Sequence, residues 1–369
     1  MTDFPKKLLL PRATLFGSGC ALKIGSEASD FGRRGVIVHG RSLVKNSDLR
    51  RISAAFPKSA DVSCVCRAGG EPTLDEVSAV IRRARRARAG WIAGIGGGSV
   101  MDLAKAAAGL FNAENPPSFY QQGGRLEKAG IPFIAVPTTA GTGAEATPNA
   151  VIINSRTKEK LSIRDGSFLA RKVMLDPDLL KSMPPDVMKY SAIDAYVQAY
   201  ESYTSRNSTW FSDSLAIKAI ALIDRNIFAA FRSMRAGNLS ELLLGSYLAG
   251  VALASSRLGV IHGIAHPLGA LYNVPHGLVC SACFMPSITI NRKAMGPKYD
   301  SISGAIGADF VKRVKGLLKA LSIKSPFSGR RIMGKGDIIR ATLESGSTAS
   351  NPKDITRKDV EYILREIFG

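Results

Sequence analysis

The sequence of this 369-residue chain predicts an α/β domain on a mostly parallel sheet at residues 1–180, followed by an all-α domain at residues 181–369. Two observations carry that division. From Gly35 to about Asp178 short apolar runs alternate with helical patterns, the alternation that builds βαβ units and a parallel sheet. After Pro184 and Pro185 convincing strands disappear and long helix-compatible segments replace them.

Taken in order, GVIVHG (35–40), WIAGIG (91–96), IPFIAVP (131–137) and KVMLD (172–176) are continuous apolar runs of strand length and predict buried strands. Asp75–Ala89 and Ser99–Phe111 predict the helices between them, and 186–205, 208–233 and 239–256 predict helices of the second domain. Ser325–Gly336 and Ser345–Asp354, rich in Ser, Gly and Asn, predict surface loops.

With 45% hydrophobic residues, the composition is that of an ordinary folded protein with a substantial core. The opening MTDFPKKLLLPR falls short of the roughly 7–15 apolar residues of a secretory signal, so a cytoplasmic location is expected. The apolar run Leu242–Ala254 falls short of the ~20 residues that span a bilayer and predicts a buried helix, with no membrane partner. Five cysteines, an odd number, make no disulfide framework, and reduced thiols are expected. Cys280 and Cys283 form a CxxC in the apolar stretch GLVCSACFMP, with no second CxxC to complete a zinc site, and predict buried packing. The net charge of +20 raises the question of nucleic acid. Its dense run, Arg82 to Arg88, has no interleaved aromatics and predicts a solvated helix face, with general attraction of anionic cofactors and substrates.

Three segments carry chemistry. Gly94-Ile-Gly96-Gly97-Gly98-Ser99-Val-Met-Asp102-Leu-Ala-Lys105 joins a strand to a helix, where glycines allow a pyrophosphate to approach and helix-start N–H groups face it. Tight packing also demands glycine there. Pro137-Thr138-Thr139-Ala-Gly141-Thr142-Gly143-Ala-Glu145 follows another buried strand and offers small hydroxyls on a glycine-rich loop; two such loops on one sheet favour a shared nucleotide. Three of the four histidines, His262, His266 and His276, fall within fifteen residues. His262 and His266 lie at i and i+4, where imidazoles on one helix face bind a divalent metal or pass protons. Asp194, in an otherwise apolar helical segment, is the candidate carboxylate ligand.

In that order and at those separations, GGGSxxDxxK, PTTAGTGAE, the Asp194 helix and HxxxHPLG followed by PHG resemble the iron-containing alcohol dehydrogenase family. The resemblance extends to EPT (71–73), Lys160, LDPDLLKSMPP (175–185) and the closing ITRKDVEYILREIFG, nearly the whole chain. It implies a dinucleotide-binding α/β domain, a helical metal domain and a site between them. It also implies that Gly96, Gly97, Gly98 and Ser99 hold the pyrophosphate, that Thr138, Thr139, Thr142, Lys160 and Leu180 line the cofactor's path, and that Asp102 orders the loop. Asp194, His262 and His276 would bind iron(II), His266 would serve as the proton relay, and the partners would be a small alcohol or aldehyde and further copies of the chain.

Two departures bear on this. Where the family commonly has a histidine four residues after the aspartate, this chain has Gln198, a weaker ligand than imidazole. Zinc on one Asp and two His, as in glycerol-dehydrogenase-type relatives, is therefore the alternative to iron, and a metal-free relative is the third. At the end of the first strand, where NAD-preferring relatives carry an acid, this chain reads Gly40-Arg41-Ser42. Arg41 and Ser42 can receive a 2′-phosphate, so NADP(H) fits at least as well as NAD(H); alternatively Arg41 faces solvent. The surplus of basic residues suits an anionic aldehyde bearing a phosphonate or carboxylate. A dehydroquinate-synthase-like lyase and a basic nucleic-acid-binding protein are the rival expectations.

Overall fold

Apolar runs become the central strands of a six-stranded sheet in the computed structural model, which describes residues 4–157 and 159–369. The strands are β1 (Ala13–Phe16), β2 (Arg34–Gly40), β3 (Asp61–Arg67), β4 (Trp91–Gly96), β5 (Phe133–Pro137) and β8 (Lys172–Leu175), while β6 (Asn149–Ile153) and β7 (Lys160–Arg164) form a separate antiparallel pair. The sheet order is β1-β8-β5-β4-β2-β3 and every neighbouring pair is parallel. Strands β4 and β5 are buried at every residue, as strands covered on both faces must be. The chain passes from β2 outward to β3 and then back across β2 to β4. That reversal places the switch point of the sheet between β2 and β4, where ligands bind beyond the carboxyl ends of strands.

The helices of this unit are α1 (Ile24–Ser29), α2 (Arg41–Lys45), α3 (Asp48–Ala54), α4 (Leu74–Arg86), α5 (Gly98–Gly109) and α6 (Pro117–Gln121). Helix α4 opens with a capping box, Thr73 with Glu76, and buries Leu74, Val77, Val80, Ile81 and Ala84. Its other face carries Arg82, Arg83, Arg85 and Arg86 in solvent, as expected of the basic run. Arg85 also donates through Nε to the carbonyl of Phe111 at 2.9 Å.

By their internal contacts the described residues divide into Leu9–Met183 and a second unit that joins residues 4–8 to Pro184–Gly369. The N-terminal residues thus differ from the expected 1–180 range. The reason lies in aromatic packing, because the Phe4 ring lies 5.7 Å from that of Trp210 and 5.8 Å from that of Phe211.

The second unit contains α7 (Pro185–Thr204), α8 (Trp210–Ser233), α9 (Ala236–Ser256), α10 (Val260–Tyr272), α11 (His276–Met295), α12 (Pro297–Ile306), α13 (Phe310–Ala320), α14 (Lys335–Glu344) and α15 (Arg357–Phe368). Among the described residues α9 is long and apolar enough to cross a membrane, and it packs along α8 and α7. Residues Ala192 to Thr204 of α7 are all buried, so this helix is the axis of the unit.

Of the two expected surface loops, 325–336 is largely exposed, whereas 345–354 is partly buried. Thr348, Ser350 and Asn351 are buried, and Asn351 Oδ1 accepts from Val260 N at 3.3 Å and from Asn291 Nδ2 at 3.1 Å. Polar composition suggested solvent, but these side chains are spent on capping α10 and bracing α11. In 325–336, Phe327 is buried against Phe368, ring centroids 5.1 Å apart, and Lys335 already begins α14.

Candidate functional site

In the first unit the two glycine-rich loops meet. Strands β4 and β5 are adjacent, with Gly96 paired to Pro137, and Thr138 N donates to the Gly96 carbonyl at 2.9 Å. A Cβ added at Gly98 would lie 2.6 Å from Thr142 Cγ2 and 2.8 Å from its Oγ1, and one at Gly97 would lie 3.3 Å from Thr139 Cγ2. Glycine is therefore required by close approach of the second loop. Gly97 caps α5 without a side-chain partner, and no acid lies in the first turn, so the amides there are oriented for an anion.

Asp102, one turn into α5, accepts from Val151 N at 3.2 Å, and so ties the loop to β6. Burial pushes its carboxyl up to about 6, with Lys105 opposing. Lys105, quoted in the motif without a role, is fully buried and donates to the carbonyls of Ala144, Thr147 and Asn149. It staples the threonine loop from beneath. Burial depresses its ammonium to about 8 and raises the neighbouring Glu145 to about 7.

Gly40 ends β2 and starts α2, with Arg41 and Ser42 exposed beside the switch point. Lys160 forms an ion pair with Glu71 at 2.8 Å, which joins the start of β7 to the EPT segment. Leu180 ends the turn Pro177–Leu180 with its side chain completely buried.

In the second unit three helices converge on one point. Asp194 comes from the middle of α7, His262 from the first turn of α10, and His276 is the first residue of α11, behind Pro275. Asp194 Oδ1 lies 3.4 Å from His262 Nε2 and 3.7 Å from His276 Nε2. That oxygen is buried without a hydrogen-bond partner, which costs free energy unless something is held there. A carboxylate oxygen and two imidazole nitrogens facing one another are the donor set of a divalent metal site, so the residues fit the ion. Burial alone would raise the Asp194 carboxyl, but His276 and His262 hold it below its ordinary range.

Sequence reasoning missed Glu201 and the position of Cys280. Glu201, two turns after Asp194 on α7, is buried; its Oε2 pairs with His262 Nδ1 at 2.6 Å and its Oε1 accepts from Ile261 N at 2.7 Å. Burial would depress His262, yet the carboxylates of Asp194 and Glu201 carry it up to about 10 in the metal-free site. The i+7 spacing on α7 was the available signal. Cys280 lies with Asp194, His262 and His276 in one group whose ligand atoms are all within 4.8 Å of one another, whereas Cys283 is buried outside it.

Gln198, expected as a ligand, lies at the site but donates through Nε2 to Asp194 Oδ2 at 3.1 Å. His266 stacks on His276 at 5.5 Å between ring centroids.

A glycine cradle at the switch point of a parallel sheet and a carboxylate–imidazole cluster in a helical unit define the class: a dinucleotide-linked, metal-dependent oxidoreductase acting on CH–OH groups. Residues 11–177 match the iron-containing alcohol dehydrogenase family and residues 188–368 match the C-terminal domain of the Fe-containing alcohol dehydrogenase family; the chain belongs to this family. It is 30% identical to lactaldehyde reductase of Escherichia coli (strain K12) over 96% of this chain and 97% of that protein. It is 27% identical to the NAD-dependent methanol dehydrogenase of Bacillus methanolicus over 99% of each. Among solved structures, an alcohol dehydrogenase from Oenococcus oeni superposes with a TM-score of 0.92 at 28% identity, over 98% of this chain and 100% of that one. A sulfoacetaldehyde reductase from Bifidobacterium kashiwanohense in complex with NAD+ shares the fold at a TM-score of 0.93 and 24% identity, over 99% of each chain. The lyase expectation gives way to these alcohol and aldehyde enzymes.

Proposed function

We propose that this chain interconverts a small aldehyde and its alcohol with NAD(P)(H), using a divalent ion held by Asp194, His262 and His276. The convergence of Asp194 Oδ1 with the Nε2 atoms of His262 and His276, at 3.4 and 3.7 Å, carries the reading. When bound, the ion supplies a Lewis acid for the substrate oxygen and the dinucleotide supplies or accepts hydride at nicotinamide C4. Glu201 Oε2 accepts the His262 Nδ1 proton, which fixes the ring so that Nε2 is the atom that would meet the ion beside Asp194 Oδ1. His276 is 26% exposed, so the cluster opens on that side. His266, stacked on it, holds and returns the proton that accompanies hydride transfer.

The amides at the start of α5, framed by Thr139 and Thr142, bind the pyrophosphate. Gly40, Arg41 and Ser42 meet the adenosine ribose without a repelling carboxylate, which favours NADP(H) over NAD(H). The +20 charge favours anionic aldehydes among the substrates. A cytoplasmic homo-oligomer with neither nucleic-acid nor membrane partner completes the proposal, and the five free cysteines suit that compartment.

The test is metal analysis of purified protein followed by a screen of neutral and anionic aldehydes with NADPH and NADH. Turnover abolished by chelation and restored by a divalent metal supports the reading. Full turnover in metal-free protein refutes it.

A further inference from the structure

Helix α11 places a second candidate donor beside His276. Residues four apart on a helix share a face, and Cys280 Sγ accordingly lies 3.6 Å from His276 Nε2. We propose that Cys280 is a fourth protein ligand to the metal, filling the place that the family resemblance gives to position 198. The proposal rests on the reading that Asp194, His262 and His276 hold a metal.

Three of the donor separations match those around one small ion, and all four ligand atoms lie within 4.8 Å of one another. Metal–nitrogen and metal–oxygen bonds of about 2.0–2.1 Å and a metal–sulfur bond of about 2.3 Å, arranged tetrahedrally, separate nitrogen from oxygen by about 3.3 Å and nitrogen from sulfur by about 3.6 Å. The observed separations are 3.4 and 3.7 Å from Asp194 Oδ1 to the two imidazoles, and 3.6 Å from Cys280 Sγ to His276. Cys280 is completely buried, so solvent does not satisfy the sulfur. Gln198 turns its donor nitrogen to Asp194 Oδ2 and thereby leaves Oδ1 facing the imidazoles and the thiol; it positions the carboxylate.

The donor set has a chemical consequence. One carboxylate, two imidazoles and a thiolate form a softer set than one built from oxygen and imidazole, and thiolate selects zinc over iron(II). A bound divalent cation takes a thiol as its thiolate, so a neutral thiol in the metal-free site is compatible with ligation. A substrate oxygen would approach the ion from the exposed His276 side, as the additional donor that catalytic zinc takes on in the transition state.

Cobalt(II) replacement under anaerobic conditions reads the sulfur bond directly. The wild type should bind one equivalent and show an intense near-ultraviolet thiolate-to-cobalt band, which Cys280→Ser loses and Cys283→Ala keeps. Zinc affinity, measured by chelator competition, should fall more than about 100-fold in Cys280→Ser, beyond the roughly 10–100-fold typical of a residue that only supports a ligand. Cys280→Ala, compared with the wild type by circular dichroism, separates lost ligation from lost folding. Cobalt bound without the band, or Cys280→Ser holding zinc as tightly as the wild type, overturns the assignment of Cys280 alone. A wild type that binds neither cobalt nor zinc overturns this proposal together with the metal reading beneath it.

Discussion

Glu201→Gln tests the metal pocket through a residue that is not itself one of the converging donors. In the wild type both carboxylate oxygens are committed, Oε1 to Ile261 N at 2.7 Å and Oε2 to His262 Nδ1 at 2.6 Å, in a buried setting. Glutamine has nearly the same shape but offers one acceptor and one NH2. Whichever way it turns, one of the two N–H donors faces another donor. If the amide oxygen keeps Ile261, the NH2 faces Nδ1 and favours the tautomer protonated on Nε2. That proton then occupies the lone pair that faces Asp194 Oδ1. Loss of such an orienting partner typically costs about 10–100-fold in metal affinity, or roughly 1.4–2.8 kcal/mol. Chelator competition on metal-loaded protein measures this, with nicotinamide binding followed by fluorescence as the control. The reasoning fails if the variant binds metal as tightly as the wild type, because Glu201 would then serve only to cap α10.

Three further outcomes are expected. His262→Ala or His276→Ala should lose metal and nearly all turnover while retaining measurable nicotinamide binding, because the cofactor loops belong to the other unit; stoichiometric metal with full activity in either variant would remove that residue from the ligand set. Gly40→Asp should shift preference toward NADH, since its backbone has an ordinary φ of −82° and an added Cβ meets nothing closer than 3.8 Å. Arg41→Ala should weaken NADPH more than NADH by about 1.5–3 kcal/mol, on the order of tenfold or more; equal loss of both cofactors counts against the ribose assignment. Burial holds Glu145 protonated up to about 7 against an ordinary 4.5, so unfolding releases a proton between those values and wild-type stability falls as pH rises through that window. Glu145→Gln should therefore match the wild type near pH 4.5 and exceed it by roughly 3 kcal/mol at pH 8 in urea unfolding, and an equal gap at both pH values would contradict the assignment.

The α/β-then-helical order, β2, β4, β5 and β8, the two glycine-rich loops and the histidine pair on α10 were all legible in the sequence. Each is written in a local period or a contiguous motif. Strand β1 was not, because its alternation of half-buried and exposed residues over four positions leaves no apolar run. Strand β3, mostly half-exposed at the sheet edge, was missed for the same reason. Ser345–Asp354 looked like solvent because its polar side chains carry no sign that their partners are backbone and side-chain groups of α10 and α11, such as Val260 N and Asn291. Asp194 and the histidines were named from residue type and spacing, but their neighbours were decided by helix packing. Glu201 meets His262 across 61 residues of chain, and Cys280, read as core from its apolar surroundings, faces Asp194 from another helix. Local sequence determines which face of a helix a side chain occupies. Only the packing of α7, α10 and α11 determines which faces meet, and a metal site is made of that meeting.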